Sequence, residues 1–106
     1  MEEHDMAEGG RREEIDAKIA HWERDLERVR VALANATDAL NARHHSTFVE
    51  LYCRKEVAKS RWEAIRGVYR PDSHAVRRCE EGLAAMEAAW QQSHAMLNET
   101  LATQSA

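Results

Sequence analysis

Residues 44–53 read HHSTFVELYC, from His44 to Cys53. Their reading decides whether the first half of the chain is one helix or two. Upstream, Ile15, Ile19, Trp22, Leu26, Val29, Leu33, Ala36 and Leu40 follow one another at alternating steps of four and three. An apolar seam of average period ~3.5 is the mark of a helix packed against others. Carried forward, that seam requires apolar residues where Thr47 and Arg54 stand. A new seam opens one residue out of phase: Phe48, Leu51, Lys55, Ala58, Trp62, Ile65 and Tyr69. Thr47-x-x-Glu50 also has the form of a capping box, in which each side chain can hold a free backbone N–H near the other. Slip and box together predict a helix start near Thr47. The alternative is one bent helix over 11–69, with the slip absorbed as an irregularity.

On this reading a first helix spans about 11–44. Glu13, Glu14 and Asp16 suit its N-terminus, and His44 and His45 suit its C-terminal dipole. Residues 1–10, MEEHDMAEGG, are expected to be a disordered acidic tail. The second helix, about 47–69, is closed by Gly67 and Pro71. Asp72 or Ser73 can cap the third, about 73–103. Its seam is Val76, Cys79, Leu83, Met86, Trp90, Ser93 and Leu97. The expected fold is all-α: a single antiparallel up-down-up three-helix bundle with heptad packing.

Composition agrees. The 106 residues are 43% apolar and 32% charged, with one proline and four glycines, which suits long helices and few turns. A net charge of −4 favours solubility and disfavours general nucleic-acid binding. No signal peptide or membrane span is visible, and two cysteines fit a reducing compartment, so a cytoplasmic protein is expected. Cys53 and Cys79 fall too far apart along the expected bundle for a bridge. Cys79 reads as a small core residue.

Chemistry is sparse. His45 and Cys53 share a helix face but stand two turns, ~12 Å, apart, too far for one ion. His44, His45 and His94 make a conceivable cluster with no zinc spacing, and ordinary histidines explain them better. There is no phosphate loop and no nucleophile beside a base, so no enzyme and no cofactor are expected. Trp22, Trp62 and Trp90 all sit on seams as core residues. Lys55 on a seam either snorkels outward or sets register.

Charge is distributed unevenly. Residues 31–42 carry only Asp38, and residues 88–106 only Glu99. The expected bundle brings these two stretches to one end, beside the apolar run Phe48, Val49, Leu51, Tyr52. One helix face cannot bury all four, so either they close the core or they form a partner surface. Residues 43–70 hold seven cations against three carboxylates. That stripe suits an acidic protein, complements acids on the first helix, or, as a weaker reading, binds nucleic acid. The candidate partner-binding residues are Phe48, Val49, Tyr52 and Met96 as apolar contacts and Arg54, Lys59 and Arg66 as cations.

A long first helix, a shorter second, and Pro71-Asp72 opening a third with Arg77-Arg78 soon after resembles tubulin-binding cofactor A. The Lys-rich first-helix motif of that family is replaced here by AKIAHWERDLERV, residues 17–29. The resemblance implies a small chaperone that holds β-tubulin before heterodimer assembly, with no cofactor. Cys79, Leu83, Met86 and Trp90, with His45-x-x-Phe48, are also similar to a spectrin repeat. That likeness implies a first corner nearer Asn35–Asp38. A self-associating structural coiled coil, such as a homodimer, is the rival expectation.

Overall fold

The computed structural model describes the backbone of residues 2–105 and the side chains of 11–93, 95–99 and 102. The described chain forms three helices, α1 (Glu2–Ala34), α2 (Asp38–Arg66) and α3 (Ser73–Ser105), and no strand.

The first corner lies at 35–37, not at 44–47. Thr37 is the N-cap of α2, with extended backbone (φ −64°, ψ 158°) and Oγ1 accepting from the Leu40 N–H at 3.2 Å. Asp38 follows in the first turn, where its charge suits the helix dipole. Two asparagines close α1 without a glycine. Asn35 Nδ2 donates to the Val31 carbonyl at 3.1 Å, and Asn41 Nδ2 reaches back to the Leu33 carbonyl at 2.9 Å. These satisfy carbonyls that a helix end leaves open. Thr47 is therefore interior to α2, and Glu50 pairs with Arg54 at 3.0 Å rather than capping a helix.

Three further expectations are corrected. The helical backbone runs back to Glu2, so residues 2–10 extend α1 instead of forming a tail. Extending an existing helix is cheap, and the Gly9-Gly10 pair costs only ~1 kcal/mol per glycine. α2 ends at Arg66 with Gly67 as C-cap, before Tyr69, which is 89% exposed and off the seam. His44 and His45 belong to the second turn of α2 and not to a helix end.

α3 begins as its sequence suggests. Asp72 Oδ2 accepts from the N–H groups of His74 and Ala75 at 3.0 and 3.2 Å.

The core draws on all three helices, with Trp22, Leu51 and Met86 each at most 1% exposed. Side chains of this size contribute ~1.5–3 kcal/mol each when buried. Cross-helix pairs fix the levels. Asp16 meets Arg66 at 2.7 Å and Glu23 meets Lys59 at 2.7 Å, so numbers rise along α1 as they fall along α2. Arg11 meets Glu80 and Lys18 meets Glu87, each at 3.7 Å, so numbers rise together along α1 and α3. Between α2 and α3, Arg61 donates to the Arg78 carbonyl at 2.9 Å. A Cβ built on buried Gly82 would sit 3.5 Å from the Ala58 Cα, so the two backbones run close there.

Candidate functional site

The long side of α2 divides the expected partner residues between two grooves. Between α1 and α2 lies a groove of about 390 Å³. Leu26, only 2% exposed, forms its floor. Phe48 and Tyr52 stand on the α2 wall with Lys55, Glu56 and Lys59, and Glu23, Glu27 and Arg30 stand on the α1 wall. Helical spacing explains the α2 set, since residues three and four apart share a face. Phe48 is half-buried against the core and its ring lies 6.2 Å from that of Tyr52, which is 45% exposed.

Lys55 does not snorkel to open solvent. It is 4% exposed, and its Nζ lies 2.6 Å from Glu56 Oε1 and 3.8 Å from Glu23 Oε2. The Tyr52 ring lies beneath it at 4.3 Å, a cation–π contact. The hydrogen bond from Lys55 holds the Glu56 carboxyl below its usual range. Likewise the Glu23 carboxylate raises the Lys59 ammonium, and Arg30 lowers Glu27. The groove is thus a pair of aromatic rings bordered by charges of both signs that already satisfy one another.

The second groove, about 360 Å³, lies between α2 and α3. Cys53, Val57, Gly82 and Ala85 form its apolar part, and Arg54, Arg61 and Glu81 its rim.

The expected site residues therefore separate. Phe48, Tyr52 and Lys59 line the α1–α2 groove, and Arg54 lines the α2–α3 groove. Val49 is exposed at 41%, while Met96 packs half-buried against the core. Arg66 sits at the far end of α2, held by Asp16. Phe48 lies ten residues into α2, ~15 Å from the corner. Leu51 is buried at 1%, so the run Phe48–Tyr52 is shared between core and surface.

The three cations of the expected set are each occupied: Arg54 by Glu50, Lys59 by Glu23, Arg66 by Asp16. Sequence reading did not find Glu23, Glu27, Arg30 and Glu56 as groove residues. Lys55, a charge on a seam, was the one available signal. Of the histidines, His44 is buried at 5% exposure, and its Nε2 has no hydrogen-bond partner. The His94 side chain lies outside the described residues. No cluster of three metal-ligating side chains occurs among the described residues. Cys53 is an exposed free thiol, and Cys79 is a buried one whose pKa is raised by burial. Among the described residues no helix is long and apolar enough to cross a membrane.

The chain matches no family model, no curated protein and no solved structure.

Proposed function

We propose that this chain is a non-enzymatic protein-binding module. Its three helices would form an up-down-up bundle with heptad packing, a reading supported by the opposed numbering of the Asp16–Arg66 and Glu23–Lys59 pairs. The α1–α2 groove takes an apolar or aromatic segment of a partner protein. One observation carries this reading: Tyr52 keeps 45% of its surface exposed beside half-buried Phe48, over a Leu26 floor. Aromatic side chains of this kind anchor interfaces, because they offer large contact area with few rotors.

The specific form of the proposal is a small cytoplasmic chaperone or assembly factor like tubulin-binding cofactor A, with β-tubulin as the first partner to test. Two free cysteines and the Asp72 cap after Pro71 suit it. An acidic ligand or nucleic acid is the weaker proposal, since it would have to displace Glu50, Glu23 or Asp16 from the cations it used. The test is binding of purified tubulin to the wild type and to Tyr52→Ser and Phe48→Ser. Weaker binding by both, with helicity kept, supports the groove. Unfolding of both variants removes its main support.

A further inference from the structure

His44 is a buried base that neither the groove nor any ion pair among the described residues uses. We propose that it is an acid-operated latch: a proton on His44 opens the α1–α2 corner end of the molecule while the opposite end stays folded.

The chemistry lies in one ring nitrogen. The residue is 5% exposed, and its Nε2 has no hydrogen-bond partner. A neutral imidazole carries one N–H, and the protonated ring carries one on each nitrogen. In the closed chain the N–H at Nε2 would meet no acceptor, and burying an unpaired charge is costly. Opening this end gives that nitrogen to water.

The surrounding charges do not answer the proton. On α1, residues 29–34 carry only Arg30, which is bound to Glu27. On α2, Asp38 stands in the first turn, and Arg43 and exposed His45 flank His44. On α3, residues 95–99 carry only Glu99, which lies 3.5 Å from Arg43. The His94 side chain lies outside the described residues. None of these carboxylates reaches Nε2. The other described histidines bury no charge: His45 and His74 are exposed, and a protonated His21 sits 3.3 Å from Asp25.

Opening is local because the ties between helices are unevenly placed. Among the described residues, the corner end has Asn41 on the Leu33 carbonyl and Arg43 on Glu99. Toward the other end lie Asp16 with Trp62 and Arg66, Glu23 with Lys59, Arg11 with Glu80 and Lys18 with Glu87. The Asp16 clamp there gives way only as pH falls toward its pKa of about 2, far below the histidine range. The less-tied end is the one that opens at lower cost.

The latch reaches the groove through α2. Phe48 is one turn from His44 on the same helix face, half-buried against the core and lining the α1–α2 groove. Acid therefore loosens that wall and releases a groove partner. This consequence rests on the groove reading; the latch itself does not.

The experiment is hydrogen exchange by mass spectrometry on the full chain at about pH 7.5 and about pH 5.5, corrected for intrinsic rates. The opened chain takes up its proton near the ordinary histidine value of ~6.5, so opening rises by up to about tenfold at the lower pH. Residues 38–50 are expected to exchange faster by that factor in acid, with residues 55–66 unchanged. His44→Leu should abolish the acceleration, and His45→Leu should keep it. His44→Gln, which takes no proton either, makes the same comparison if the leucine variant misfolds. Equal exchange of residues 38–50 at both pH values in the wild type overturns the inference. Acceleration that survives in the folded His44 variants overturns it too. So does equal acceleration of residues 55–66, which is global unfolding. A failure to bind tubulin at neutral pH strikes the groove reading and leaves the exchange result standing.

Discussion

The indole N–H of Trp62 donates to Asp16 Oδ1 at 2.8 Å, joining two residues 46 positions apart. Arg66, one turn further on, clamps the same carboxylate with Nε on Oδ1 at 2.9 Å and a terminal nitrogen on Oδ2 at 2.7 Å. A seam tryptophan thus finds a partner for its polar edge, and α1 is locked to α2 in one register. The groove seven residues up α1, at Glu23, inherits that register.

This clamp makes stability depend on acid. The Arg66 hydrogen bonds, then that of Trp62, hold the Asp16 pKa at about 2, below its ordinary 3.8. A depressed folded pKa adds stability that is fully present above the ordinary value and is lost as pH falls through the folded one. Asp16 is 36% exposed, so solvent screening reduces its contribution to roughly 1 kcal/mol. Asp16→Asn should therefore be less stable than wild type near neutrality. Thermal melts between about pH 4 and pH 2 should show that gap closing.

The corner can be tested by its cap. Thr37→Ala should cost about 1 kcal/mol, because the Leu40 N–H loses its acceptor. Thr47→Ala, inside α2, should change stability by less than about 0.5 kcal/mol. Urea midpoints of the two variants decide between the two corners.

His44 is an orphan in the core. Replacing it with leucine removes a buried nitrogen that has no partner and keeps most of the volume. His44→Leu should raise unfolding free energy by about 1 kcal/mol, read from denaturant titration. A loss of stability would mean the imidazole is bound by something not accounted for.

Lys55 should separate size from charge. Lys55→Met keeps the buried stem but loses the Nζ that lies over the Tyr52 ring, and should change stability by less than about 1 kcal/mol, because exposed Glu56 can turn to water. Lys55→Glu places a carboxylate beside Glu23 and Glu56 and should cost about 3 kcal/mol. Equilibrium unfolding of both variants is the readout.

Much of the helix content was legible because its signal is periodic. Ile15, Ile19, Trp22, Leu26, Val29 and Leu33 alternate steps of four and three, and all are buried. The α3 start was legible because Pro71 and Asp72 act locally. The first corner was hidden because Ala36 and Leu40 continue the α1 spacing through the turn, where both are only half-buried. Thr37 has Leu40, not an acid, three residues on, so no capping box marks it. Asn35 and Asn41 close α1 through side chains, a job usually signalled by glycine. The α2 seam was read from Phe48 onward, yet it continues back through His44.

The site suffered from that error more than the fold did. A corner near 45 would set Lys59 opposite about Ala32, whereas Lys59 pairs with Glu23. The α2 wall of the groove could therefore be named from sequence, but its α1 wall could not. Of the readings open for the basic stripe, the one that complements acids on the first helix fits Lys59 and Arg66, held by Glu23 and Asp16, while Arg54 is held by Glu50 on its own helix.

The central claim is that the Phe48–Tyr52 groove docks a protein. It is tested most directly by titrating purified tubulin into fluorescently labelled chain and following anisotropy. Wild type and Val68→Ser, a change outside the groove, should bind alike, and Tyr52→Ser at least about tenfold more weakly with helicity intact. Equal binding by Tyr52→Ser would contradict the groove, and no binding by wild type would contradict the tubulin partner.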